Sequence, residues 1–209
     1  MRLRAFSIAI ERGGRRLFAD LSFEVGAGEA LIVTGPNGSG KSSLLRAIAG
    51  LLPLAAGRIA FEGAVAETSA GEQAHYLGHL DALKGALSAR ENLAFSAASL
   101  GGGGWGRALE VGAALERVGL ADAADLPVRA LSAGQKRRVA LARHLVAARP
   151  LWLLDEPLGA LDAAAQSRLH ELMCDHLGAG GLLVASTHAP LGLEGARTIQ
   201  LDGAALAAA

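Results

Sequence analysis

The chain has 209 residues, enough for one sizeable α/β domain with a buried core but too few for two full domains. Lysine plus arginine number 20 and aspartate plus glutamate also 20, so no overall field draws the protein onto nucleic acid, and an apolar fraction of 51% excludes a disordered chain. Charged residues and glycines cut every apolar run short of a signal-peptide core or a bilayer span, so the expectation is a cytosolic chain that does not itself cross a membrane.

In chain order, the first clear element is the alternating stretch LSFEV at 21–25, which reads as a half-buried strand. Residues 30–33, ALIV, form a continuous apolar run suited to a central strand covered on both faces. That run passes straight into TGPNGSGKSS at 34–43. A strand that turns through glycines into a helix leaves a row of backbone N–H groups aimed at the space above the helix N-terminus, where the macrodipole favours an anion. The spacing Gly35-x-x-x-x-Gly40-Lys41-Ser42 is that of the phosphate-binding loop. Gly35, Pro36, Asn37, Gly38, Ser39, Gly40, Lys41, Ser42 and Ser43 are therefore the nucleotide-binding candidates. Lys41 is expected to reach the β- and γ-phosphates and the Ser42 hydroxyl to ligate Mg2+. A short helix over 41–49 follows, closed by Gly50.

Residues from about 80 to 145 are mostly helical in pattern and read as a lobe inserted into the sheet domain. Gly101-Gly102-Gly103-Gly104-Trp105-Gly106 follows no strand and precedes no Lys-Ser pair, so it is expected to be a flexible surface loop. Beyond it, Ala108, Val111, Leu115 and Val118 recur at helical spacing. In Leu131-Ser132-Ala133-Gly134-Gln135, Ser132 and Gln135 have capping-box spacing at the start of a helix whose apolar face holds Val139, Ala142, Leu145 and Val146. Lys136, Arg137 and Arg138 in its first turn oppose the helix dipole, and three together point to a second site that gains from positive potential. Residues 151–154 form another continuous apolar run, then a helix over 163–177 carries Leu169, Leu172, Met173 and Leu177 on one stripe, and residues 182–185 form a third run. The lone cysteine, Cys174, is expected to be a buried apolar thiol on that helix. Strand and helix alternate, which indicates an α/β fold.

In an open parallel sheet, ligands bind beyond the carboxyl ends of the strands. The first apolar run ends in the phosphate loop, the second in Asp155-Glu156-Pro157 and the third in Ser186-Thr187-His188. Phosphoryl transfer to water requires positioning, charge neutralisation and a group to orient or deprotonate the water, and Lys41, Asp155, Glu156 and His188 supply that set.

The motifs GPNGSGKS, LSAGQ, LLDEP, Gly159-Ala160-Leu161-Asp162 and His188, in this order and across nearly the whole chain, resemble the nucleotide-binding subunit of ATP-binding cassette (ABC) transporters. The resemblance implies a P-loop NTPase core with an inserted helical subdomain, ATP and Mg2+ as ligands, and two subunits paired head to tail around two ATPs. It also implies that Asp155 is the Mg2+-associated carboxylate with Ser42, Glu156 the general base and His188 the switch histidine. Leu131, Ser132, Ala133, Gly134 and Gln135 would form the signature that contacts ATP in trans, and Asp162 would belong to the dimer-contact loop.

Two departures sharpen the match. Counting back from Glu91-Asn92, the family's glutamine at the lobe junction, which couples to the membrane subunit, is replaced by His79. The aromatic residue that stacks on adenine is missing, with Arg12 near its place; a guanidinium can also stack, and ATP against GTP stays open. Tyr76-Leu77-Gly78-His79, Lys84, Leu87, Glu91-Asn92-Leu93 and LSAGQKRRVALAR on a short cassette are similar to the CcmA family, the ATP-binding subunits of the cytochrome c maturation (haem exporter) system. This implies peripheral attachment to the cytoplasmic face of a bacterial inner membrane beneath CcmB- and CcmC-like integral membrane subunits. The alternatives are a cassette of another exporter, for lipid, lipoprotein or small molecules, and a soluble cassette acting on nucleic acid or the ribosome. His75 and His79 read as strand end and loop and no Cys-x-x-Cys-His is present, so no direct haem binding is expected.

Overall fold

A computed structural model describes residues 1–63, 69–100 and 105–202. The chain divides into two compact units. The first comprises Met1–Gly78, Pro150–Pro157 and the chain from His176 onward; the second comprises His79–Arg149 and Leu158–Asp175. The second unit thus adds 158–175 to the stretch expected at about 80–145.

The first unit holds two sheets. Strands β1 (Arg2–Arg12), β2 (Arg15–Gly26) and β4 (Ala56–Glu62) form an antiparallel sheet in the order β2-β1-β4. Strands β3 (Ala30–Thr34), β5 (Ala74–Leu77), β6 (Leu151–Asp155), β7 (Leu182–Ser186) and β8 (Arg197–Gln200) form a parallel sheet in the order β5-β6-β7-β3-β8. Every residue of β6 and β7 is buried, as expected for central strands flanked by neighbours and covered on both faces. β8 lies at the edge and is mostly exposed.

Helix α1 (Lys41–Ile48) buries Leu44, Leu45 and Ile48 in the core that also holds Val33, Leu153 and Val184. It stops because Gly50 turns into the left-handed region at φ 71°, with Gly50 N donating to Ala47 O and Leu51 N to Arg46 O. Burying these leucines and isoleucine is worth roughly 2 kcal/mol each, which anchors the helix N-terminus against the ends of β3, β6 and β7.

The second unit contains α2 (Ala89–Leu100), α3 (Val111–Arg117) and α4 (Ala133–Val146), packed on one another. Ala108 falls before α3, and residues 101–104 of the glycine-rich stretch lie outside the described residues. The α4 start is a complete capping box: Gln135 N donates to Ser132 Oγ at 3.1 Å and Ser132 N to Gln135 Oε1 at 2.8 Å. Val139, Ala140, Leu141, Ala142 and Val146 are buried, so α4 is enclosed on more than one side, while Leu145 is only half-buried. Buried Asn92 ties the segment before α2 together, accepting from Lys84 N and donating to Lys84 O and Ser88 O.

Helix α5 (Ala163–Gly178) corrects one expectation. Leu169, Leu172 and Met173 are buried, but Cys174 is exposed, with Sγ 3.5 Å from His170 Nε2. One residue past Met173 the helix has turned by roughly 100°, which takes the thiol off the buried stripe. No helix among the described residues is long and apolar enough to cross a membrane.

Candidate functional site

The parallel sheet delivers three strand ends to one rim of the first unit. β3 leads into the loop 34–40 and α1, whose N-cap is Gly40 with no side-chain cap and no acidic residue in the first turn. The amides of that turn have no side-chain cap from Gly40 and form the positive end of the helix dipole. The loop is tightly built. A Cβ on Gly35, at φ 137°, would lie 2.2 Å from Leu201 O, so no other residue fits there. Ser39 is buried, its amide donating to Pro36 O, and Ser43 is buried on α1. Lys41 Nζ curls back to donate to Gly35 O at 2.8 Å and Pro36 O at 3.1 Å.

At the end of β6, buried Asp155 accepts hydrogen bonds from both neighbouring elements. Ser42 Oγ donates to Oδ1 at 3.0 Å, Ser186 Oγ donates to Oδ1 at 2.5 Å, and Tyr76 Oη donates to Oδ2 at 3.4 Å. Tyr76 in turn accepts from Arg46 Nε at 3.3 Å. Burial raises the Tyr76 phenol above its ordinary value, and its hydrogen bond to Tyr76 raises the Arg46 guanidinium. Both stay protonated at neutral pH. Parallel register pairs Asp155 with Ser186, which is why both side chains reach the same place.

Glu156 follows with a left-handed backbone at φ 46°, its amide donating to Ser186 O at 3.0 Å. Its carboxylate meets the end of β7: Oε1 is 3.6 Å from His188 Nε2, and Oε2 accepts from His188 N at 3.4 Å. His188 Nε2 also lies 3.1 Å from Asn37 Oδ1 in the phosphate loop. These groups line a cavity of about 420 Å³ bounded by Arg12, Leu17, Asn37, Gly38, Gly40, Lys41, Ser42, Ser43, Asp155, Glu156 and His188. Arg12 is thus at the cavity wall.

The remaining candidates belong to the second unit. Leu131 is buried, and Ser132, Ala133, Gly134 and Gln135 open α4. A Cβ on Gly134 would lie 2.7 Å from Ala160 O, so the glycine lets the loop before Asp162 approach the α4 N-terminus. Asp162 caps α5, its Oδ1 accepting from Ala165 N at 2.8 Å. His79 is exposed in the bend after β5, while His75 is buried on that strand. The positive potential expected from Lys136, Arg137 and Arg138 is reduced. Buried Arg137 pairs with Asp81 at 3.2 Å, and Arg138 donates to the carbonyls of Val118 and Gly119, so these two guanidiniums tie the unit together internally.

Residues 18–159 match the ABC transporter family. The chain is 55% identical over 93% of its length to the cytochrome c biogenesis ATP-binding export protein CcmA of Rhodopseudomonas palustris strain BisB5, covering 94% of that protein. It is 52% identical to the protein of the same name from Brucella abortus strain 2308, over 94% of this chain and 89% of that one. This chain belongs to the CcmA family of ABC transporter ATPases. A solved structure of an ABC transporter ATP-binding protein from Pyrococcus furiosus has the same fold, with a TM-score of 0.80 at 21% identity over 96% of this chain and 98% of that one. The CcmA-family chain is therefore an α/β ABC nucleotide-binding domain on a P-loop core, and it is a nucleotide-binding, ATP-hydrolysing transporter subunit. Sequence reasoning named Ser186 only as part of the strand end Ser186-Thr187-His188 and gave no role to it or to the Tyr76–Arg46 pair; Ser186 carried the signal of directly following an apolar run, as Asp155 does.

Proposed function

We propose that this chain hydrolyses ATP to drive haem export or delivery in c-type cytochrome biogenesis, as a peripheral subunit on the cytoplasmic face of the bacterial inner membrane beneath CcmB- and CcmC-like partners. The observation that carries the catalytic part is the convergence of three strand ends on the cavity at the uncapped N-terminus of α1. The α1 amides and Lys41 hold the phosphates, with Lys41 leaving the carbonyls of Gly35 and Pro36 for the β- and γ-oxygens. The water attacks the γ-phosphorus, the bond to the bridging oxygen of ADP breaks, and Glu156 takes the proton of the water. His188, bridging Glu156 and Asn37, orients that carboxylate and senses the γ-phosphate.

Ser42 and Asp155 fit Mg2+. Their oxygens already meet at 3.0 Å, and Mg2+ is typically held by one or two protein oxygens together with substrate phosphates and waters rather than by a protein cage. Among the described residues no cluster of three His, Cys, Asp or Glu side chains offers such a cage. When bound, Mg2+ neutralises charge on the β- and γ-phosphates. Arg12 at the cavity wall supplies a guanidinium plane for the base in place of an aromatic ring.

The second unit is read as the helical subdomain. Its capped α4 N-terminus, with Leu131 to Gln135, meets the ATP held by the phosphate loop of a second copy in a head-to-tail dimer; Asp162 lies in the loop that contacts that copy, and His79 couples to the membrane subunits. Lys41→Ala cells are expected to lack covalently haem-bearing c-type cytochromes while keeping b-type ones, read by haem-stained gels of membrane fractions. Normal c-type cytochromes in that strain would remove the haem-delivery assignment and leave the ATPase intact.

A further inference from the structure

The Asp155 carboxylate has a second support that the phosphate-binding and hydrolytic groups do not account for. Its Oδ1 accepts from Ser42, in the first turn of α1 and at the cavity wall, and from Ser186, the buried last residue of β7. Its Oδ2 is met from the other side by Tyr76, one residue before the end of the neighbouring strand β5, with Leu77 in register with Leu154. Tyr76 does not line the cavity. Its hydroxyl is fixed in turn: Arg46 on α1 donates to it at 3.3 Å, which leaves the phenolic proton free to point only at Asp155. The ring is fixed as well, because Gly78 leaves room that a side chain would close; a Cβ there would lie 2.9 to 3.1 Å from the outer half of the Tyr76 ring and its oxygen. Arg46, Tyr76 and Asp155 form a relay that runs from the last turn of α1 back to the carboxylate paired with Ser42 at the helix start.

We infer that Tyr76, held by Arg46, is a positioning residue for the Asp155 carboxylate and sets how well the MgATP complex is held. The inference rests on reading Ser42 and Asp155 as the Mg2+ side of an ATP site. With Oδ1 held by two serines, the Tyr76 hydrogen bond to Oδ2 adds a restraint on rotation of the carboxylate before Mg2+ arrives. Groups that orient a metal ligand in this way change metal affinity or activity by roughly tenfold or more when lost. Their loss leaves contacts to the rest of the nucleotide in place.

Tyr76→Phe removes the hydroxyl and keeps the ring against Gly78. Relative to the wild-type chain, the Mn2+ affinity of its complex with a non-hydrolysable ATP analogue, read by EPR of free Mn2+, is expected to fall by roughly tenfold. The Mg2+ concentration for half-maximal ATP hydrolysis should rise by a similar factor, while binding of ATP in EDTA stays unchanged. Arg46→Gln leaves the phenol in place but weakens its hold and should move the same quantities in the same direction by a smaller factor; it carries the test if Tyr76→Phe does not fold. Unchanged Mn2+ affinity in a folded Tyr76→Phe chain overturns the inference, even if its melting temperature has dropped. A wild-type chain that binds ATP equally in Mg2+ and in EDTA and does not hydrolyse it overturns the Mg2+ reading itself and the inference with it.

Discussion

At the scale of single residues, Glu156, the proposed general base, carries a backbone cost. A non-glycine residue at φ 46° costs about 1 kcal/mol, and Glu156 holds that conformation because its amide is fixed to Ser186 O. The twist turns its carboxylate toward His188 instead of continuing the line of β6. Glu156→Gln keeps the shape and, on the proposed role, removes the base, so turnover measured by phosphate release should fall by at least about a hundredfold while ATP binding survives. The ATP-bound variant should accumulate as a dimer on size exclusion; a monomer there would count against the head-to-tail pairing. The pairing of Asp155 and Glu156 was legible because both follow a run of four apolar residues, whereas the left-handed turn was not, since nothing in Asp-Glu-Pro demands it. Cys174 was misread for a related reason: apolar neighbours in sequence are not neighbours on a helix face, and a one-residue error in phase exchanges buried for exposed.

At the scale of elements, the continuous runs gave β3, β6 and β7 to within a residue, because strands buried on both faces need apolar residues at every position. β1 was not legible. Its register slips between Ala5 and Ile8, where Ser7 takes φ 42°, so the buried positions change phase in mid-strand and Ile8, Ala9 and Ile10 are buried in succession. β8 was hidden for the opposite reason, as an edge strand with little to bury. The α4 N-terminus was legible from Ser132 and Gln135, but the need for Gly134 was not, because Ala160 approaches from a distant part of the chain. Gly134→Ala places a methyl group 2.7 Å from Ala160 O, in a loop where Ala160 itself sits at φ 63° and has little freedom to withdraw. The expected cost is about 1 to 3 kcal/mol, read as a lower urea midpoint. An unchanged midpoint would mean that the loop shifts freely and that the close approach constrains nothing.

At the scale of the whole molecule, the residues lining the cavity belong to one compact unit, and Leu131 to Gln135 and Asp162 belong to the other. The first unit also carries its own acid limit. His176 is buried against Trp152, with ring centroids 4.2 Å apart, and burial pushes its imidazole from an ordinary 6.5 down to about 4, while the carbonyls of Leu182 and Pro150 pull the other way. The folded value lies below the unfolded one, so the native state favours the neutral ring. Stability that is present above pH 6.5 is therefore lost as the pH falls toward 4, by about 3 kcal/mol over that window. His176→Phe should flatten the dependence of the urea midpoint on pH between those values; equal slopes in the two chains would show that other groups set the acid limit. The same stacked pair makes the molecule its own optical instrument. The chain has two tryptophans, and replacing Trp105 leaves Trp152 as a single fluorophore three residues before Asp155 on the strand that carries it. An imidazolium against the indole face quenches emission more than a neutral ring does, so intensity followed against pH titrates one buried side chain in the native protein, and emission followed against added nucleotide listens to the strand beneath the reaction without any label.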